Sequence, residues 1–156
     1  MGSIGLARTL ALAVPVALLA GALGSQYLGG LYPCEMCHWQ RWPHYAAVPL
    51  ALLAIILRDK SAGTLLLWLA AAAIFVSGAI GIFHAGVEYG WWEGLTRCAM
   101  SPSGGGDFLA DIMATPVISC DQPQWTLFGI SLAGFNAIIS IGAAMVIAWL
   151  TRKTTR

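Results

Sequence analysis

Charge is what this chain has least of. Asp, Glu, Lys and Arg make up 10% of its 156 residues, hydrophobic residues make up 58%, and the formal net charge is +1. So even a balance offers none of the basic surface on which nucleic-acid binding depends, and no internal repeat or long low-complexity tract is apparent. Where charge is missing says more. None falls between Arg8 and Glu35, between Lys60 and Glu88, or between Asp121 and Arg152. Each gap holds an apolar run long enough to supply the roughly 20 helical residues that cross a hydrocarbon core of about 30 Å. Membrane-spanning helices are therefore expected near residues 6–28, 64–87 and 128–150. The first run exceeds the apolar core of a cleaved signal peptide and is followed by further runs, so it reads as a span.

A fourth uncharged run, between Arg41 and Arg58, has 16 residues, about 24 Å of helix. Among three spans it has no soluble core to join, so a short span over 42–57 is expected. Pro43 would sit in its first turn and Pro49 would kink its middle. The fold class is then an all-α membrane protein in one domain over 1–156. It is a bundle of four transmembrane helices, with outer loops 29–41 and 88–127 and an inner loop 58–63. Six of the eight basic residues (Arg8, Arg58, Lys60, Arg152, Lys153 and Arg156) fall on the side shared by both termini. The positive-inside rule makes that side cytoplasmic.

The spans also lack cysteine. All four cysteines fall in the two outer loops, Cys34 and Cys37 in the first, Cys98 and Cys120 in the second. Cysteines serving as small packing residues would occur within helices. Two pairs facing an oxidising compartment read as disulfide chemistry. Between Cys98 and Cys120 lies the SPSGGG tract, a flexible tether, and then DFLADIM, residues 107–113. Its apolar residues recur at helical spacing, which predicts a short amphipathic helix in the membrane interface. Trp39, Trp42, Trp91, Trp92 and Trp125 form an aromatic belt at the outer surface. Ala71–Ala73, Ser77, Gly78 and Gly81 permit close packing of the third helix.

The stretch PCEMCHWQR, residues 33–41, admits three chemistries. Haem c would use Cys34 and Cys37 as anchors and His38 as axial ligand, but leaves Cys98 and Cys120 without a role. A structural metal could take Cys34, Cys37, His38 and His44, but the cysteine spacings match no standard finger. A redox disulfide uses everything present. The C-x-x-C spacing closes a tight ring and lowers one thiol's pKa. Cys37 lies just before the second helix, whose dipole favours a thiolate, and Arg41 follows one turn later with a permanent cation. That pocket suits a lipid-soluble electron acceptor. Cys98, beside the flexible tract, would reach a soluble partner, and Cys120 would approach Cys34. A static Cys98–Cys120 staple is the structural alternative.

PCEMCHWQR, HAGVEYGWW and CDQPQWTLFGISLAGFN, with four helices and four cysteines, resemble the DsbB family of bacterial inner-membrane proteins of disulfide bond formation. The resemblance covers nearly the whole chain. It implies a protein disulfide oxidase that reoxidises a periplasmic DsbA-like thioredoxin-fold protein. The partner would attack a Cys98–Cys120 disulfide at Cys98. Reoxidation would run through a Cys34–Cys120 linkage and the Cys34–Cys37 pair. Cys37 would pass two electrons to ubiquinone or menaquinone, with Arg41 stabilising the charged adduct and His84 lining the quinone site. No metal is implied. Glu35 departs from the family pattern, since a negative charge inside the C-x-x-C opposes a low thiol pKa. Glu88 reads as a solvated loop residue. The other readings are a vitamin K epoxide reductase-like enzyme, a scaffold with two structural disulfides, and a haem carrier.

Overall fold

The computed structural model of the chain describes residues 2–95 and 119–155. Helices dominate it: α1 (Ser3–Tyr27), α2 (Glu35–Ile56), α3 (Ser61–Glu88) and α4 (Leu132–Thr155), with a hairpin of β1 (Thr126–Leu127) and β2 (Ile130–Ser131) just before α4. Cys98 and the expected helix over 107–113 lie outside the described residues. α3 is the central element, packing along α2 and α4, while α1 covers the opposite side against the same two helices.

Three helices are long and apolar enough to cross a membrane: α1, α3 and α4. α2 is not among them. Its 22 residues would reach across, but its first half carries Glu35, Gln40, Arg41 and His44. The expected short span over 42–57 is thus the apolar second half of a longer helix. Residues 35–41, expected as loop, are helical, and Pro43 lies in the third turn instead of the first.

The buried faces are stripes of small residues at helical spacing. α3 buries Gly63, Leu67, Ala70, Ala71, Ile74, Ser77, Gly78 and Gly81 in succession, and α1 buries Ala7, Ala11, Pro15 and Leu19. Lipid is no better a solvent for a methyl group than a neighbouring helix is, so close backbone approach drives association here. Gly78 and Gly81 show how close. A Cβ on Gly78 would stand 2.9 Å from the Ile141 side chain, and one on Gly81 3.0 Å from the Ala133 carbonyl oxygen and the Ala137 nitrogen. The outward faces carry exposed Leu65, Phe75, Ile82, Ile138 and Met145, as lipid contact requires.

The core divides along its length. Near the chain termini it is almost wholly apolar, built from Ala7, Ala11, Ala47, Ala51, Leu67, Ile74 and Ile147, and the one buried polar residue there among those described, Thr151, donates to the Ile147 carbonyl within its own helix. Toward the other end it buries Gln40, Arg41, His44, Ser77, His84 and Ser140.

The last span was expected from residue 128, but α4 starts at Leu132. Phe128 (φ 52°) and Gly129 (φ 78°) instead form the turn between β1 and β2, with positive φ at both positions as a two-residue type I′ hairpin demands. Ser131 then caps α4, its Oγ accepting from the Gly134 N–H at 3.1 Å. The same hydroxyl donates to Glu88, tying the end of α3 to the start of α4. Glu88, read as a solvated loop residue, is the last residue of α3 with its side chain only 6% exposed. Tyr89 fastens the hairpin by donating its hydroxyl to the Gly129 carbonyl at 2.8 Å.

Gly81→Val must push α4 off α3 and should cost about 1–3 kcal/mol, read as a lower Tm in detergent. Gly21→Ala, where an added Cβ meets nothing within 4 Å, should leave Tm unchanged or raise it.

Candidate functional site

The site is built where α2 begins. Gly30, at φ 66°, turns the chain out of α1, and Pro33 precedes Cys34, the N-cap of α2 in extended conformation. The Cys34 sulfur accepts the Cys37 backbone N–H at 3.2 Å, a capping contact normally made by oxygen. Cys37 therefore sits inside the first turn instead of before it. Both are free thiols, and Cys34 Sγ donates to Cys37 Sγ at 2.8 Å.

The two sulfurs differ in environment. Cys34 is buried, and its hydrogen bond to Cys37, followed by burial, pushes its pKa well above the ordinary thiol range. The same hydrogen bond, received instead of given, holds Cys37 below it; burial opposes, and Arg41 adds a smaller favourable effect. The pair thus assigns the thiolate to Cys37. The carboxylate acting against that thiolate is Glu88, while Glu35 is exposed at the helix surface.

Cys34 faces α3 and the second loop. Its sulfur lies 3.5 Å from His84 Nε2, and the ligand atoms of Cys34, His84 and Cys120 all fall within 4.8 Å of one another. His84 is buried, with Gln40 Nε2 2.7 Å from its Nδ1. Gln40 Oε1 is occupied by Asn136 Nδ2 at 2.8 Å, so Gln40 donates to His84, and the imidazole proton belongs on Nε2. There it is a donor shared among the Cys34 sulfur, the Cys120 backbone carbonyl and, at 3.7 Å, Glu88 Oε1. The ligand set considered from spacing is not assembled: His38 is exposed, and His44 lies deeper, against Asn136 and Ser77.

Cys37 and Arg41 also reach a second side, toward α1 and α4. Arg41 is 8% exposed and does not snorkel to the surface. It donates from Nη1 to Gln26 Oε1 at 2.6 Å and from Nη2 to the Ala22 carbonyl at 3.1 Å, closing the last turns of α1 onto α2. A cleft of about 180 Å³ opens beside it. Its wall is apolar over Ala17, Leu18, Leu19, Leu132 and Phe135, with Ser25, Cys37, Gln40, Arg41, His44 and Asn136 as its polar members. A smaller recess of about 60 Å³, next to Tyr32, Pro33 and Trp125, reaches Cys34, Cys37, Arg41, His84 and Glu88 together. An apolar cleft with a few convergent polar groups suits a hydrophobic ligand with a polar head.

Of the residues named from sequence, Cys34, Cys37, Arg41, His84 and Cys120 converge here; Cys98 lies outside the described residues. His84 stands on the sulfurs and the smaller recess, and the larger cleft is lined without it. Gln40, His44, Ser77, Asn136 and Ser140 went unrecognised as one buried network. The available signal was polar residues inside the uncharged runs of α3 and α4, Ser77, Asn136 and Ser140, with Gln40 and His44 on α2 to meet them.

A dithiol beside a third cysteine, on a bundle with three helices long and apolar enough to cross a membrane, is an arrangement suited to thiol–disulfide exchange in a membrane. The family model for disulfide bond formation protein DsbB matches residues 6–150, and the chain belongs to the DsbB family, disulfide oxidoreductases of the bacterial inner membrane. Disulfide bond formation protein B of Verminephrobacter eiseniae is 32% identical over 149 residues, covering 88% of this chain and 80% of that one. Its counterpart in a Polaromonas species is 30% identical over 138 residues, 84% and 80% of the two chains. An uncharacterised protein of Rickettsia prowazekii is 26% identical over 133 residues, 82% and 76% of the two chains. No solved structure matches significantly.

The split between the sulfurs predicts reactivity. A lowered pKa keeps Cys37 ionised at pH values where an ordinary thiol is protonated, so iodoacetamide should label Cys37 well below the pH at which it labels Cys34. Peptide mapping across a pH series checks this. Cys34→Ala removes the donor and should move the Cys37 profile to higher pH.

Proposed function

We propose that the chain is a quinone-dependent thiol oxidase that reoxidises a periplasmic DsbA-like thioredoxin-fold protein. Both termini lie in the cytoplasm, α2 completes a four-span bundle, and the cysteine loops face the periplasm, as the positive-inside rule favours. One observation carries this reading: of the two sulfurs of the C-x-x-C, Cys37 reaches the apolar cleft and Cys34 does not. Cys34 lies against His84 and Cys120, and Cys37 lines the apolar cleft with Arg41.

A thiolate of the partner attacks the Cys98–Cys120 disulfide at Cys98, making a mixed disulfide and releasing Cys120. The partner's second thiol displaces Cys98, and the partner leaves with its own disulfide. Cys120 then attacks the Cys34–Cys37 disulfide at Cys34, and Cys37 departs as the thiolate that its surroundings favour. Cys98 displaces Cys34 from Cys120, restoring the outer disulfide. His84 Nε2–H donates to the Cys34 sulfur while it carries charge, which makes it a better leaving group. The Cys34–Cys37 pair is left reduced, with the proton on Cys34 and the negative charge on Cys37. A membrane quinone, ubiquinone or menaquinone, when bound supplies an acceptor for two electrons and two protons, and the Cys34–Cys37 disulfide re-forms. Arg41 holds positive charge beside Cys37, and the apolar wall excludes water from it.

The purified chain, mixed in stopped flow with reduced DsbA and a soluble quinone analogue, should couple DsbA oxidation to quinone reduction. Cys37→Ala should abolish that coupling, and normal turnover by this variant would refute the relay. Arg41→Ala loses a charge-assisted interaction and should raise the KM for quinone by roughly tenfold or more.

A further inference from the structure

The relay makes no use of His44, yet His44 lines the cleft beside Cys37 and Arg41 and is only 3% exposed. Its Nε2 lies 3.0 Å from Asn136 Oδ1 and 2.8 Å from Ser77 Oγ. Both of these atoms act as acceptors toward it. Ser77 directs its own proton to the Gln40 carbonyl at 2.7 Å. Asn136 uses its amide hydrogens on Gln40 Oε1 at 2.8 Å and on the Ser77 carbonyl at 3.2 Å, which leaves Oδ1 facing the imidazole. The network therefore puts the proton of His44 on Nε2. A neutral imidazole then has an acceptor, and no donor, at Nδ1. That nitrogen is buried and has no hydrogen-bond partner among the described residues. An unmet buried acceptor is destabilising; the lining closes over this nitrogen, and a ligand hydroxyl seated in the cleft would meet it by parting the side chains around His44.

We infer that His44 is a ligand-binding residue of the cleft, its Nδ1 accepting a hydrogen bond from a hydroxyl of the reduced, hydroquinone form of the electron acceptor. The inference rests on the quinone reading and adds a preference between redox forms. Arg41 offers only donors, which suit an oxygen of either form. His44 in this tautomer offers only an acceptor, and the hydroxyl that can donate to it exists only after reduction. Binding the product more tightly than the substrate makes the bound acceptor easier to reduce.

The test uses the full chain in lipid nanodiscs with Cys34→Ser and Cys37→Ser, which prevents turnover while the serine oxygen at position 34 keeps the α2 cap. The probes are a decyl-chain benzoquinone and its hydroquinone under anaerobic conditions. Their Kd values are read from quenching of tryptophan fluorescence. Two substitutions separate the ring nitrogens. His44→Gln places an amide near the Nε2 position and keeps the contact to Asn136 and Ser77, but leaves nothing at Nδ1. His44→Asn places an acceptor near Nδ1 and gives up the Asn136 contact. The hydroquinone Kd should rise about fivefold in His44→Gln, the size of effect one neutral hydrogen bond supports. The quinone Kd should stay within about twofold, and His44→Asn should keep the parent ratio. An unchanged ratio in His44→Gln overturns the inference, as does equal loss in both variants, which marks a purely structural role. Failure of the parent to bind either probe overturns the quinone reading itself, and the role of His44 with it.

Discussion

Everything in the site depends on where α2 begins. Because Cys34 caps the helix through its own sulfur, Cys37 falls in the first turn, and Arg41 and His44 follow on the same face at steps of four and three. A helix started one residue earlier or later would rotate these side chains by about 100°. Cys37 would then leave the cleft and Cys34 would leave His84. The cap also carries the redox chemistry. The sulfur that accepts a backbone N–H is the one that a disulfide with Cys37 or Cys120 would engage, so helix start and redox state share an atom.

The polar half of the bundle holds that arrangement in place. Burying Gln40, His44, Ser77, Asn136 and Ser140 in a membrane protein is costly unless each is bonded. Here they are bonded mostly to one another across α2, α3 and α4. Interhelical hydrogen bonds of this kind each contribute on the order of 1 kcal/mol, less than they contribute in specificity, because a slip of one helix would strand several groups together. Small residues carry the packing: Gly78 and Gly81 let α4 approach α3 closely enough for Asn136 to reach Ser77 and His44. The apolar half needs no such precision and is built largely from alanine.

Much of the fold was legible in where charge is missing, since uncharged runs of spanning length admit few alternatives. The boundary of α2 was not. Its first half is polar because it faces a site, so hydropathy marked it as loop, and only the cap geometry at Cys34 shows that the helix extends there. The hairpin before α4 was hidden similarly: TLFGIS is apolar enough to continue a span, and it is the positive φ at Phe128 and Gly129 that turns it. Cys34, Cys37, Cys120 and Arg41 could be read as a group because cysteine and a near-membrane arginine are rare and chemically pointed. His44 and Asn136, which meet across 92 positions of sequence, carried no local mark of their partnership. Glu88 read as a solvated loop residue because Ser131, whose hydroxyl donates to it, is far along the chain.

If Cys34 and not Cys37 is the sulfur that exchanges with Cys120, disulfide pairing in the membrane will show it. Two full-length variants, both lacking Cys98, would be oxidised in membranes and mapped without reduction. One retains Cys34 and Cys120, the other Cys37 and Cys120. A Cys34–Cys120 disulfide is expected in nearly all of the first and little Cys37–Cys120 linkage in the second. Equal pairing in both, or preferential pairing of Cys37 with Cys120, would contradict it.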